Sequence, residues 1–441
     1  MSEMFVGLSS RLAAHNALAK IWASQRSEVA LTEVCSNYKL SEQDKSLVWA
    51  MVMAILRNRA LLDAAIDVHL REGKVERVVR DILRIGAAQL ILLDRIPPHA
   101  AVSTSVELAR HLGKEKVTGL MNAVLRKLVG LSEDDIPLPS EPSERIAVRY
   151  SHPLWLVERW EKSYGSEFTG ALAAANNVEP PLTLRVNTRK TDRHSLLKLL
   201  NGQGIEAEAM KHFPEYIKAE APGHPSELPG FTDGLFSVQD PAFSLPVDIL
   251  APLPGERILE IGCAPGGKLS HIAERFGKDV VIDGVDISED RLETTASNLD
   301  RLGLSEFVKL HHADACEFGE PESYDAVLLD APCTSTGVIR RHPEIRYNRT
   351  PKDIERMSDL QRELIIAALR VIKPGGRLIY CACSAEPEEG EEHLKILPPG
   401  VKTVPPEGDF LQGYCENCVA RTWPHLHNLD GMIAFLVVTP R

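Results

Sequence analysis

The chain has 441 residues, too many for one ordinary domain and enough for two to four. With 44% hydrophobic and 25% charged residues it reads as a soluble globular protein; no apolar run is long enough to span a bilayer, and Arg11, His15 and Lys20 interrupt any export signal near the start. Eight cysteines in such a chain read as reduced thiols, which predicts a cytoplasmic protein, and a net charge of −12 excludes an indiscriminate nucleic-acid coat.

The charge is uneven: residues 1–130 carry 18 Lys+Arg against 13 Asp+Glu, the remainder 32 against 49. A basic front end on an acidic body is what a separate polyanion-docking module looks like. This front end, 1–135, reads as helical throughout, with apolar residues at three- and four-residue spacing (Leu12, Leu18, Ala19, Trp22). Arg71, Lys74, Arg77, Arg80 and Arg84 predict a basic stripe along one helix, either a grip on phosphates or a solvated face, while Val75, Val78, Val79, Ile82 and Leu83 face a core. "RIPPHAAV" (95–102) stops one helix and starts another. The polar, proline-bearing stretch 132–144 has linker composition.

Residues 145–235 predict a small α+β middle domain. "SHPLWLVERWEKSYG" reads as a capped helix, "PLTLRVN" as a strand, "SLLKLLNGQG" as a helix ending in glycine, and "GLFSVQD" as a second strand. From 236 to 441 short apolar strands alternate with helices: 256–262, 280–286, 308–314, 324–330 and 377–383. That pattern predicts a doubly wound, Rossmann-like parallel sheet with buried strands.

The first of these strands runs into "GCAPGGK" (Gly262, Cys263, Ala264, Pro265, Gly266, Gly267, Lys268) and then a helix. Glycines at such a turn let the backbone approach a ligand, and the helix N-terminus offers free N–H groups. The spacing also fits a loose dinucleotide fingerprint, so a nicotinamide or flavin enzyme is a competitor. Pro265 in the turn and acids ending successive strands (Asp286, Asp314, Asp330) favour S-adenosylmethionine, whose ribose hydroxyls and adenine amine each need a partner. Two cysteines, Cys333 and Cys383, follow or end different strands and face the same crevice. A thiolate adding to C6 of cytosine turns the unreactive C5 into an enamine carbon able to attack a methyl sulfonium. A helix N-terminus or basic neighbour is expected to raise the thiolate fraction. A lone cysteine would more simply be a core residue.

The stretches "ILEIGCAPGGK", "LLDAPCTSTGVIRRHPEIR" and "LIYCACSAEPEEGEE" resemble the cofactor loop, Pro-Cys motif and Thr-Cys-Ser motif of RNA cytosine-C5 methyltransferases, within them the bacterial 16S ribosomal RNA subfamily. "RIPPHAAVSTSVELAR", "GLMNAVLRKL", "SHPLWLVERW", "LRVN" and "SVQDPA" extend the resemblance over nearly the whole chain. It implies an all-α NusB-like N-terminal domain, the small middle domain and a class I methyltransferase domain. It further implies cofactor contacts at Gly262–Lys268, Asp286, Asp314 and Asp330, with Cys383 as nucleophile. Cys333 would assist product release, and Asp330 would also hold the cytosine near N3. Arg340, Arg341 and His342 are expected to contact nearby phosphates. The expected partner is 16S ribosomal RNA, naked or in an early pre-ribosomal particle, bound by a monomer with no membrane contact. Transfer RNA, or a non-catalytic RNA-binding role, are the alternatives.

The sequence departs from the family pattern at Glu260, usually Asp, and at Gly262-Cys263, usually Cys-Ala. Ala382 replaces the Thr before the nucleophile, and Met432-Ile433 replaces an aromatic pair. Cys381, two residues before Cys383, shares its strand face and is a rival nucleophile. Cys415 and Cys418 with His425 and His427 are zinc-ligand types at a non-standard spacing; no metal site is expected.

Overall fold

The computed structural model describes residues 7–70, 75–220, 223–406, 408 and 413–441. The chain divides into two compact units, one comprising 1–178 with 339–348, the other 179–338 with 349–441.

The first unit is helical: α1 (Leu8–Trp22), α2 (Ser27–Asn37), α3 (Glu42–Asp67), α4 (Arg77–Ile91), α5 (Pro98–His111), α6 (Thr118–Leu128), α7 (Pro142–Arg149), α8 (Leu154–Tyr164) and α9 (Ser166–Ala175). Its core is aliphatic, built on Leu18, Ile21, Met51, Ile55, Ile82 and Leu125, all fully buried. The long α3 kinks at Asn58, and Ser151 Oγ accepts from the N–H groups of Ala60 and Leu61 just beyond the kink. Pro98 at the first position of α5 completes the stop and restart read in "RIPPHAAV". The 132–144 stretch is more ordered than its composition predicts. Ser132 caps a short 3₁₀ turn, Glu141 caps α7, and Pro142 is tolerated in that helix's first turn.

In the second unit a small antiparallel sheet joins β1 (Leu182–Val186) to β2 (Ala207–Ala209), β3 (Tyr216–Ala219) and β4 (Phe236–Val238) in the order β2-β3-β1-β4, with α10 (Arg193–Gly202) packed on it. Then come α11 (Leu245–Leu250), β5 (Arg257–Ile261), α12 (Gly267–Phe276), β6 (Val281–Asp286), α13 (Glu289–Leu302), β7 (Val308–His312) and β8 (Tyr324–Asp330). The rest is α14 (Ile345–Asn348, part of the helical unit), α15 (Pro351–Val371), β9 (Ile372–Ala382), β10 (Lys402–Val404), β11 (Cys415–Glu416), β12 (Val419–Thr422) and β13 (Met432–Val438). The large sheet runs β11-β12-β13-β9-β8-β5-β6-β7, parallel from β9 to β7 and antiparallel where β13 joins β9. The central strands β5 and β8 are largely buried, hence their mostly apolar runs, interrupted in β5 by the buried Glu260. All carboxyl ends of the parallel strands lie on one edge, where such sheets bind ligands. No described helix is long and apolar enough to cross a membrane.

Candidate active site

At the end of β5 the chain turns through Gly262 and Gly266, both at positive φ. A Cβ on Gly262 would sit 2.4 Å from the carbonyl oxygen of Asp330, so this strand-to-loop contact requires glycine. The loop closes with a Gly266 N–H to Cys263 O bond of 2.7 Å, and α12 starts at Gly267 with its N-terminus open. Asp286, buried at the end of β6, accepts from Ala264 N (3.2 Å) and Ser288 N (3.0 Å). Cys263 is buried beneath the loop, and burial, with Glu260 and Asp286 nearby, pushes its thiol far above the ordinary value. Pro265 is exposed at the tip. Asp314 is also exposed, and its carboxylate accepts from Cys316 N in its own turn.

Glu260 is 1% exposed and one carboxylate oxygen, Oε2, has no hydrogen-bond partner among the described residues. Burial raises its pKa well above the usual carboxylate range, with Lys268 opposing. An orphaned buried acceptor beside an open helix N-terminus and a glycine turn fits a ligand bearing a cationic amine and ribose hydroxyls.

Lys268 leaves that loop to bind the catalytic edge. Its ammonium donates to Asp330 Oδ2 at 2.6 Å. Burial would lower the lysine pKa, but Asp330 outweighs it and holds the lysine charged. On the other side, Cys381 Sγ lies 3.6 Å from Asp330 Oδ1. Cys381 is fully buried, and burial reinforced by Asp330 pushes its thiol well above the ordinary range despite Lys268. Cys383 lies just past the end of β9, and Cys381, next to last in that strand, serves as a neighbour of Asp330.

Cys333 and Cys383 come together. Their sulfurs are 3.3 Å apart, with Ser335 Oγ 3.6 Å from Cys383 and 3.9 Å from Cys333. The hydrogen bond between the thiols lowers the Cys383 pKa and raises that of Cys333 well above its usual value. Within the pair the thiolate is therefore favoured at Cys383 and the proton at Cys333. Sequence reasoning sought a basic residue or helix terminus as the activator. Lys268 does help, but behind the second thiol and Ser335.

The loop carrying Cys333 is stitched to the end of β9. Gly337 N donates to Cys383 O (3.0 Å), Gly431 N donates to Gly337 O (2.8 Å), and Ala385 N donates to Thr336 Oγ1 (3.0 Å). A Cβ on Gly337 would meet Gly431 O at 2.2 Å, which explains the glycine in "CTSTG" and the Asp-Gly before β13. Between them Ser335 adopts a positive φ of 63°, a conformation costly for a non-glycine residue. Sequence reading singled out neither Ser335 nor Glu389, a buried carboxylate that accepts from Thr334 and Ser384.

Two sequence expectations change. Arg340 is 2% exposed, and the stretch around it belongs to the helical unit, where Arg346 donates to Tyr150 O (3.0 Å), Asn177 Oδ1 (2.8 Å) and three further backbone carbonyls. "IRRHPEIR" is thus an anchoring segment there, and its buried arginines are not phosphate ligands. The basic stripe is neutralised where it is described: Arg84 pairs with Asp63 and Asp81 (2.6 and 2.8 Å), Arg80 with Asp67 (2.6 Å), and Arg77 with Asp81 (3.9 Å). Arg71 and Lys74 lie outside the described residues. Cys415 and Cys418 fall on a tight hairpin between β11 and β12, with Asn417 and Cys418 both at positive φ. Among the described residues no group of three His, Cys, Asp or Glu side chains is placed to hold a metal ion.

The sheet order and the glycine loop at its carboxyl edge define an S-adenosylmethionine-dependent methyltransferase. Residues 247–437 match the profile of the 16S rRNA methyltransferase RsmB/F family, 8–130 that of the NusB family, and 152–224 the ferredoxin-like domain of RsmF/B-like methyltransferases. The chain is 38% identical over 366 residues to ribosomal RNA small subunit methyltransferase B of Shigella flexneri, covering 81% of this chain and 83% of that one; the Escherichia coli proteins of that name match equally. The crystal structure of PH0851 superposes with a TM-score of 0.81 at 27% identity, over 99% of this chain and 100% of that one. A methyltransferase homolog from Pyrococcus horikoshii gives 0.58 at 29% identity, over 68% and 100%. The chain belongs to the RsmB/F family of 16S rRNA methyltransferases.

Proposed function

We propose that this enzyme transfers a methyl group from S-adenosylmethionine to C5 of one cytosine in 16S ribosomal RNA, through a covalent bond between Cys383 and C6. The observation that carries the reading is the pair of sulfurs 3.3 Å apart at the carboxyl edge of the sheet, one biased to thiolate, beside the Lys268–Asp330 ion pair. The cofactor supplies an electrophilic methyl on sulfonium. The loop Gly262–Lys268 with Asp286 would hold it, Asp314 at the rim and Asp330 completing the contacts; the orphaned Glu260 oxygen suits its cationic end.

The flipped-out base is set with C6 toward Cys383 and N3 toward Asp330 and Lys268. Cys383 thiolate would bond C6, the pair of electrons released toward N3 would be stabilised by the Lys268 ammonium that Asp330 holds in place, and C5 would take the methyl, the cofactor's sulfonium leaving as a neutral thioether. Cys383 is now a neutral thioether, so the charge that kept Cys333 protonated is gone. Cys333 loses its proton to solvent, takes the C5 proton, and the Cys383–C6 bond breaks with Cys383 leaving as thiolate. One proton is released per turnover.

In this reading 1–135 docks RNA or a partner, 145–235 is the small middle domain, and 236–441 carries the chemistry. The enzyme works as a cytoplasmic monomer on 16S RNA, naked or in an early pre-ribosomal particle. Bisulfite sequencing of 16S RNA from cells with and without the gene tests it: one 5-methylcytosine should vanish with the gene. An unchanged pattern overturns the assignment.

A further inference from the structure

Two loops must hold the sulfurs at a fixed separation, and one buried side chain touches both. Glu389 is fully buried. Its Oε1 accepts from Thr334 N (2.8 Å); its Oε2 accepts from Thr334 Oγ1 and from Ser384 Oγ, each at 2.5 Å. Thr334 directly follows Cys333, and Ser384 directly follows Cys383. One carboxylate oxygen therefore bridges the two cysteine-bearing loops.

The clamp is itself braced. Gln361 Nε2 reaches Glu389 Oε1 (3.5 Å) and donates to Pro332 O (2.8 Å), on the other side of Cys333. His393, held neutral because burial pushes its pKa down to about 4, lies with Nε2 2.8 Å from Gln361 Oε1. Tyr380 donates to the backbone carbonyl of Glu389 (2.8 Å) and stacks on Phe435. Four donors converge on two oxygens, a number a carboxylate accommodates and an amide does not, unless the hydroxyls turn round to accept.

We propose that Glu389 is a positioning residue for the methyl transfer: by bridging Thr334 and Ser384 it sets the separation of the Cys333 and Cys383 sulfurs. This rests on the roles given above to the two cysteines. A clamp of this kind acts on the thiol pair more than on the cofactor, whose loop lies at the ends of other strands. Its loss frees Cys333 to swing away, removes the hydrogen bond that favours the Cys383 thiolate, and misplaces the base that releases the product.

The test uses the full-length enzyme with unmethylated 16S RNA, comparing Glu389→Ala and Glu389→Gln with Cys383→Ala. Three quantities are read: the methyl-transfer rate at saturating cofactor, the KM for S-adenosylmethionine, and the pH midpoint for iodoacetamide alkylation of Cys383, followed by mass spectrometry. Glu389→Ala should slow transfer about 100-fold, the scale of an ångström misplacement, with KM changed less than about twofold. The alkylation midpoint should rise by about one pH unit, and Glu389→Gln should recover part of both losses. Transfer within about threefold of wild type and an unmoved midpoint overturn the proposal. Should Glu389→Ala fail to fold, Thr334→Val and Ser384→Ala carry the same test. Each should raise the midpoint by a smaller amount, and no rise in either overturns the proposal. Full activity of Cys383→Ala would instead sink the cysteine assignment itself, whatever Glu389 does.

Discussion

Replacing Arg185 with methionine probes how the middle sheet supports the cofactor loop. Arg185, in "LRVN" on β1, is fully buried and all five of its N–H groups are used. It is bidentate to Glu274 (3.0 Å for each bond) and donates to Gln239 Oε1 (2.5 Å), Gly267 O (2.8 Å) and Ser270 Oγ (2.9 Å). Glu274 has a side chain only 2% exposed, so losing its cation strands a charge in the interior. Breaking such a pair from one side costs about 3–5 kcal/mol, or roughly 6–20 °C of melting temperature for a unit of this size. The assay is thermal melting with and without S-adenosylmethionine. Because Gly267 O loses its donor, the melting shift induced by cofactor should also shrink. Arg185→Met/Glu274→Leu should melt well above Arg185→Met, since removing both charges removes the stranded one. A single mutant within about 2 °C of wild type, or a double mutant lower than the single, would refute the reasoning.

Other outcomes follow from the same structure. Arg346→Met leaves several carbonyls buried in the helical unit without their donor and should destabilise it by at least about 3 kcal/mol, measured by calorimetry. Charge reversal at Arg77 and Arg80 should leave the slope of log K for RNA against log salt unchanged, because those charges are already paired within the fold. Acid should weaken the second unit: burial pushes His271 down to about 3 and His393 to about 4, so both are neutral when folded. The unfolded chain takes up those protons as pH falls below about 6.5, so stability is full above that value and is lost progressively toward pH 4, by an order of 2–3 kcal/mol per histidine. Urea midpoints between pH 7 and 4.5 check this, and His393→Asn should flatten the profile.

The parts of the fold that could be read in the sequence were those written in local pattern. Apolar runs of buried length placed β5, β6 and β8, and glycines placed the turn after β5, because a backbone carbonyl occupies the space a side chain would need at Gly262. The antiparallel tail was harder. β10, β11 and β12 are two to four residues long, and β13 is an apolar run whose pairing with β9 is set by tertiary register. Charged residues misled where their surroundings lie far off in sequence. Arg84 looks like a phosphate ligand until Asp63 on α3 is seen beside it, and Arg340 until its burial is seen. Cys333 and Cys383, fifty residues apart, were placed in one crevice by strand-end logic, but which thiol holds the proton depends on a sulfur contact no spacing encodes. Glu389 lay in plain sight in "PEEGEE"; its bond to Thr334 spans 55 positions.

The central claim is that Cys383 bonds the base and Cys333 lets it go. Incubating Cys333→Ala, Cys381→Ala and Cys383→Ala with 16S RNA and S-adenosylmethionine, then separating on a denaturing gel, tests it most directly. The account predicts a covalent RNA–protein band that accumulates only with Cys333→Ala, nothing with Cys383→Ala, and near-normal turnover with Cys381→Ala. A trapped band that persists in Cys333→Ala/Cys383→Ala, or identical behaviour of the Cys333 and Cys383 variants, would contradict it.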